Sequence, residues 1–282
     1  MAQVSRAIKR TFLQAMPSRV TDALLRKYPN LRKAAPAGHA FVFDGYCSDI
    51  RVNIDTRYKV ERIMWSGIYE PRLVGFLRTQ HTSGWACLDI GANVGAISLL
   101  LAKLVGPQGR VFAVEPGPPN VTRLRKNFEL NPALAARAEI VPCGISDAPG
   151  QLWWAEEDGN PGNAMLGDQG THCIPVTTID NVVHEHAIQK LDFVKIDVEG
   201  MELQVMHGGE KTLQRFRPIL YFETLSRYGD AHEGSNFELI DSFLVRDCNY
   251  KLFSINSSGQ LSPLRGSVMD DYTVAIHASM TS

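Results

Sequence analysis

The stretch CLDIGANVGAISLLLA, Cys87 to Ala102, decides the fold. An apolar run ends at Asp89-Ile90, turns through Gly91-Ala92-Asn93-Val94-Gly95, and resumes with Leu99, Leu100, Leu101 and Leu104 at helical spacing. A buried strand that turns through two glycines into an apolar helix is the corner of a βα unit.

Outward from that corner, strands and helices alternate from Gly84 onward. The patterning predicts strands over residues 85–90, 110–114 and 138–143, with helices over 94–105 and about 119–130 between them. Gly106-Pro107 and Asn131-Pro132 stop the helices. Residues 151–176 break the rhythm: Asp158-Gly-Asn-Pro-Gly-Asn163 lies between two short strand-like pieces, 151–154 and 173–176, which predicts a hairpin or flap laid over the sheet. Alternation resumes with a helix opened by Asp180, a strand at 193–196, a helix at about 201–216, a strand at 219–222, a helix near 237–246, and final strands at 250–255 and 272–276. Helices between buried strands are crossovers, so the expected fold is α/β: a doubly wound, seven-stranded, mostly parallel sheet in which only the last two strands pair antiparallel. Residues 66–282 form the expected main domain, behind an N-terminal extension over 1–65 that begins as a helix and continues as short strands. No internal repeat appears.

Composition narrows the function. With 282 residues, 44% of them hydrophobic, the chain can bury a full core. The 29 basic and 30 acidic residues are interspersed and leave a formal charge of −1, which argues against an overall electrostatic grip on nucleic acid or anionic lipid. Five cysteines without a C-x-x-C fit a reducing compartment, and a cytoplasmic location is expected. No apolar run reaches the roughly 18 to 20 residues of a membrane span. The first twenty residues are basic, free of acids, and place Val4, Ile8 and Phe12 on one helical face. They read as an amphipathic helix lying on the domain or on a second copy of the chain, with an organellar transit peptide as the alternative.

In such a sheet ligands bind at the carboxyl ends of the strands, where the strand order reverses. Asp89 to Gly95, Glu115, Gly144 to Asp147 and Asp197 to Glu202 all fall at such ends. A dinucleotide turn needs G-x-G-x-x-G, but counting from Gly91 the second position is Asn93 and the third is Ala96. The spacing acid-x-G-x-N-x-G suits a ligand without a phosphate: Gly91 and Gly95 let a methionine tail lie on the turn, and Asp89 meets its ammonium group. S-adenosylmethionine has that charge pattern. Glu115 is placed to accept from both ribose hydroxyls. Adenine then lies by the third strand's exit, near the backbone of Gly144 and Ile145, with Ser146 or Asp147 taking its exocyclic amine, although a plain turn is the alternative there.

These residues resemble a known family. DIGANVG, GRVFAVEP, LDFVKIDVEGME and the upstream IYEP are similar to the FkbM family of S-adenosylmethionine-dependent methyltransferases, from about Tyr69 to Glu223. Lys195 to Glu202, K-I-D-V-E-G-x-E, is the most specific segment. The resemblance implies a class I, Rossmann-like fold, methyl transfer most often to a hydroxyl of a sugar, glycan or natural-product scaffold, and a place near the cofactor for Tyr69 and Glu70. Without the family, Tyr-Glu-Pro is a helix start.

An aliphatic hydroxyl, with a pKa of about 15 to 16, needs a general base or a metal to react. Asp197 is the expected base or acceptor ligand, with Glu199 and Glu202 orienting it or the substrate. Lys195, on the same strand face as Asp197, is placed to hold a carboxylate. The plainer reading of Glu199 and Glu202 is a helix N-terminus with acids in its first turn. Asp180 reads as an N-cap. Glu223 is a candidate third acid beside Asp197 and Glu199, a set that would suit a divalent cation, but a general base needs fewer assumptions. His184 and His186 face apart on a helix and read as surface residues, not zinc ligands, and His207 decorates a helix end. Of Trp153 and Trp154, at most one can face a substrate. Asn163 is a weak candidate for an acceptor contact. Acceptor specificity is expected in residues 151–176, the N-terminal segment and the loop at 226–235. The competing functions are a non-catalytic module that binds S-adenosylmethionine and a nicotinamide-dependent oxidoreductase; intact Asp197 and Glu199 argue against the first, Asn93 against the second.

Overall fold

The computed structural model describes residues 38, 40–66, 69–157, 160–198, 200–223, 236–264 and 272–281. The predicted N-terminal helix, Asp158, Glu199 and the loop at 226–235 lie outside the described residues. So does the Asn163 side chain.

The opening corner is strand β3 (Ala86–Ile90) running into helix α3 (Ala96–Leu104). Before it come a hairpin of β1 (Ala40–Tyr46) and β2 (Ile50–Asp55) and the helices α1 (Lys59–Ser66) and α2 (Pro71–Thr79). After it come β4 (Arg110–Val114), α4 (Pro118–Glu129), the single turn α5 (Pro132–Ala135) and β5 (Ala138–Val141). Prolines at the first helical positions of α2, α4 and α5 set φ where no backbone donor is needed. The carboxyl-terminal half supplies β10 (Phe193–Ile196), β11 (Ile219–Glu223), β12 (Tyr250–Ile255), β13 (Leu261–Pro263) and β14 (Tyr272–His277).

The main sheet has the order β13-β12-β14-β11-β10-β3-β4-β5. Strands β5, β4, β3, β10 and β11 are parallel, and β14 runs antiparallel between β11 and β12. The chain moves outward from β3 through β4 to β5, then returns to lay β10 on β3's other side, so the order reverses between β3 and β10. The seven expected strands are joined by the short edge strand β13. Period-two alternation sends Cys87, Phe193 and Tyr221 to one face of the sheet, and Leu88, Ile90, Val194, Ile196 and Phe222 to the other, each face with its own buried cluster.

The β1–β2 hairpin is docked on α4 through side-chain amides. Asn53 N–H donates to Asn127 Oδ1 at 2.7 Å, Asn127 Nδ2 donates to the Val94 carbonyl at 2.8 Å, and Asn131 exchanges bonds with the Arg51 backbone. No described helix is long and apolar enough to cross a membrane. All five cysteines are unbridged.

Three local expectations are corrected. The predicted flap is part of a second sheet, order β6-β9-β7-β8, in which β7 (Gly150–Glu157), β8 (Asn160–Gly167) and β9 (His172–Thr177) form a meander and β6 (Gly144–Ile145) pairs parallel with β9. The helix predicted over 201–216 is two, α7 (Glu202–His207) and α8 (Glu210–Phe216), separated at Gly208-Gly209, where a side chain on Gly208 would run into the Ser146 carbonyl and one on Gly209 into Ile179. Thr178, not Asp180, caps helix α6 (Ile179–Glu185), accepting from Asn181 N–H at 3.1 Å. Asp180 instead serves the neighbouring α8, accepting from Thr212 N–H at 2.9 Å and from its hydroxyl at 2.7 Å.

Candidate active site

A cavity of about 310 Å3 opens at the carboxyl ends of β3, β4, β10 and β11, beside the point of strand reversal. Its floor is the turn after β3. Gly91 (φ 79) and Asn93 (φ 52) are left-handed, and the N–H groups of Gly91 and Ala92 both donate to the Val114 carbonyl, tying the turn to β4. A side chain at Gly91 would come closer than 3.0 Å to the Asp197 carbonyl, so glycine lets the loops after β3 and β10 cross. Asn93 lines the cavity with its Oδ1 buried and without a hydrogen-bond partner among the described residues.

Glu115, at the end of β4, lines the cavity too. Asn93 N–H donates to its Oε2 at 2.8 Å, and Gly117 N–H and Asn120 Nδ2 donate to Oε1 at 2.9 and 3.2 Å. Burial pushes this carboxyl above the usual glutamate range, against the pull of those donors. Beyond it the wall turns apolar, through Val114, Pro116, Ile145, Trp154 and Leu166, with the Cys143 thiol among them. The opposite wall is acidic and phenolic: Tyr69, Glu70, Asp197, Glu223 and Tyr272.

Beneath that acidic wall the sheet register sets a polar row. Asp89, Lys195 and Tyr221 are partners across β3, β10 and β11 and so share a face. Lys195 is 2% exposed, donates to Asp197 Oδ2 at 3.1 Å, and stands 3.6 Å from Asp89 Oδ1. Burial works against its charge, but Asp197 and Asp89 outweigh it and hold the ammonium above its ordinary pKa.

Comparison with known proteins gives the family. The methyltransferase FkbM domain model matches residues 89–252. The chain belongs to the FkbM methyltransferase family. Curated relatives include a hexuronic acid methyltransferase, AglP, of Haloferax volcanii, 28% identical over 45% of this chain and 50% of its own, and a 2-O-methyltransferase, NoeI, of Sinorhizobium fredii, 26% identical over 47% and 60%. The FkbM chain described here thus spans only about half to three-fifths of those relatives' lengths. Among solved structures, a methyltransferase FkbM of Methylobacillus flagellatus aligns with a TM-score of 0.48 at 18% identity, covering 77% of this chain and 54% of that one.

Of the residues expected to bind the FkbM cofactor, Tyr69, Glu70, Gly91, Asn93, Glu115 and Gly144 line the cavity. Four do not. Asp89 is fully buried below the turn, where Ser98 Oγ donates to its Oδ2 at 2.5 Å and Lys195 Nζ stands 3.6 Å from its Oδ1. Gly95 faces Leu124, and its left-handed φ of 87 starts α3. Ser146 is turned away, its N–H on the Thr177 carbonyl and its hydroxyl on Asp147, which is exposed.

Among the expected catalytic residues, Asp197 lines the cavity with Lys195 behind it. Glu202 does not; it opens α7, and its Oε1 accepts from the N–H groups of Gly200 and Val198 at 3.2 and 3.4 Å and so clasps the loop before that helix. Glu199 lies outside the described residues, and among those described no group of three or more His, Cys, Asp or Glu is gathered for a metal. His186 pairs with Glu139 and His207 packs on Phe243. Sequence reading missed Lys59, Val60 and Ile63 of α1, as well as Asn120 and Tyr272. Asn120 alone left a signal, a polar residue one turn into a helix that follows an acid-proline strand end.

Proposed function

We propose that the chain transfers a methyl group from S-adenosylmethionine to a hydroxyl of a sugar, glycan or natural-product acceptor. The observation that carries this is the pairing, in one cavity, of Glu115 at the end of β4 with a β3 turn whose Asn93 offers a buried unpartnered acceptor and whose Gly91 leaves no room for a side chain. A dinucleotide turn would need glycine where Asn93 stands. Glu115 is the proposed ribose contact and Gly91 with Asn93 the seat of the amino acid tail. The apolar wall of Ile145, Trp154 and Leu166 is the proposed adenine side, with Gly144 at its edge.

When bound, S-adenosylmethionine supplies an electrophilic methyl group on a sulfonium. The protein's part is to orient an oxygen and take its proton. Asp197 is the proposed proton acceptor: Lys195 fixes its Oδ2, leaving Oδ1 without a hydrogen bond from the described residues. Glu199 is proposed to orient the acceptor from the same loop. The names of the hexuronic acid and 2-O-methyltransferase relatives support a sugar hydroxyl as the acceptor class.

Titration calorimetry with S-adenosylmethionine and with NAD tests the cofactor, and release of S-adenosylhomocysteine over a panel of uronic acids, neutral sugars and hydroxylated aglycones tests the transfer. Binding of the first ligand and not the second is expected, with turnover on at least one hydroxylated acceptor that Asp197→Asn lowers by about 100-fold or more. NAD binding in place of S-adenosylmethionine would refute the reading.

A further inference from the structure

Four carboxylates line the cavity among the described residues: Glu70, Glu115, Asp197 and Glu223. Lys195 stands against Asp197, and Glu115 is held by two chain N–H groups and Asn120. Glu70 is held differently. Tyr272 donates its hydroxyl to Oε1 at 3.2 Å and Tyr221 donates to Oε2 at 3.1 Å, while no cation among the described residues is in contact with it. The two rings stack, with centroids 5.2 Å apart and planes at 16°, so both phenols reach the same carboxylate from adjacent strands.

Its backbone is equally unusual. Glu70 has φ 44 and ψ 56, a left-handed conformation that is unfavourable for a non-glycine residue. It precedes Pro71 and α2, yet its side chain makes no capping bond to that helix. Neither a helix cap nor a salt bridge therefore accounts for this residue. Among the described residues the side-chain partners of this half-buried carboxylate are neutral hydroxyls, so no ion pair in contact with it offsets its desolvation. The nearby ammonium of Lys195 is already held between Asp197 and Asp89. The cavity is the open side from which a cation can arrive.

We propose that Glu70, positioned by Tyr221 and Tyr272, is the counter-ion for a positive charge bound in the cavity. The inference rests on the functional reading above, under which that charge belongs to S-adenosylmethionine, as its sulfonium or its α-ammonium group. Tyr221 and Tyr272 are positioning residues, acting through Glu70.

Binding alone tests this, without an acceptor. Calorimetry on the full chain compares wild type, Glu70→Gln and Tyr272→Phe with three ligands: S-adenosylmethionine, S-adenosylhomocysteine, which keeps the ammonium and lacks the sulfonium, and 5′-methylthioadenosine, an uncharged thioether. Glu70→Gln is expected to weaken S-adenosylmethionine by about tenfold or more and to leave methylthioadenosine within about twofold. Tyr272→Phe, which preserves the ring stack, is expected to weaken S-adenosylmethionine about threefold with the same selectivity, and it carries the test if Glu70→Gln does not fold. Loss on S-adenosylmethionine alone assigns the sulfonium, and loss shared with S-adenosylhomocysteine assigns the ammonium; either supports the counter-ion. Equal loss on all three ligands, or none on S-adenosylmethionine, overturns it while the functional reading stands. A wild-type protein that binds none of the three overturns both.

Discussion

Gly91 and Gly95 are four residues apart in one turn, both left-handed, and they differ in what they meet. A methyl group on Gly91 would strike the carbonyl of Asp197, a backbone atom that cannot swing aside, whereas on Gly95 it would meet the end of the Leu124 side chain. Gly91→Ala is therefore expected to destabilise the protein by about 3 kcal/mol and Gly95→Ala by about 1 to 2 kcal/mol, read as shifts in urea midpoint at constant slope. A smaller loss at Gly91 than at Gly95 would show that the β3 and β10 loops do not cross as described. The motif spacing carried both glycines, but it could not say that one meets fixed backbone and the other the end of a side chain.

A strand's two faces separate Trp153 from Trp154. Trp154 is 1% exposed, packs on Gly117 and walls the cavity, while Trp153 is 42% exposed on the outer face of β7. Trp154→Ala is expected to cost about 3 to 5 kcal/mol and Trp153→Ala no more than about 0.5 kcal/mol by chemical denaturation. Comparable costs would mean that β7 is not seated in this register. Period-two alternation in the sequence established that only one tryptophan could face inward. Which one was decided by pairing with β9, where Trp153 lies opposite Cys173 and Trp154 opposite His172. At Gly208-Gly209 the chain carries two signals, since apolar spacing continues through Val205, Met206 and Leu213 while His207 reads as a helix end, and the close approach of the Ser146 carbonyl to Gly208 belongs to the break that the fold adopts.

Across the whole molecule, four glutamates among the described residues, Glu61, Glu70, Glu115 and Glu202, are pushed above the ordinary value of 4.5, each chiefly by burial, Glu61 to about 7. Between the unfolded value and the raised folded one, the native state holds more protons than the unfolded chain, so their contribution is present at mildly acidic pH and is lost as pH rises through the folded values. The ligand-free protein is expected to lose stability from this source as pH rises above about 4.5, and Glu115→Gln to flatten the slope, measured as urea midpoint against pH. An unchanged slope in that variant would mean that Glu115 ionises in the fold as it does in water.

Sequence by itself determined the βα corner, the alternation that makes the sheet parallel, and the alignment of Asp197 with Lys195 on one strand face, because period and turn chemistry are local properties of the chain. The two-sheet arrangement of residues 144–177, the burial of Asp89 under the turn it was expected to serve, and the arrival of Tyr272 beside Glu70 were decided only by tertiary structure. Each depends on which strand becomes a neighbour. Tyr272 lies 202 residues from Glu70, and β14 brings it there by inserting antiparallel between β11 and β12, a pairing that no local spacing encodes.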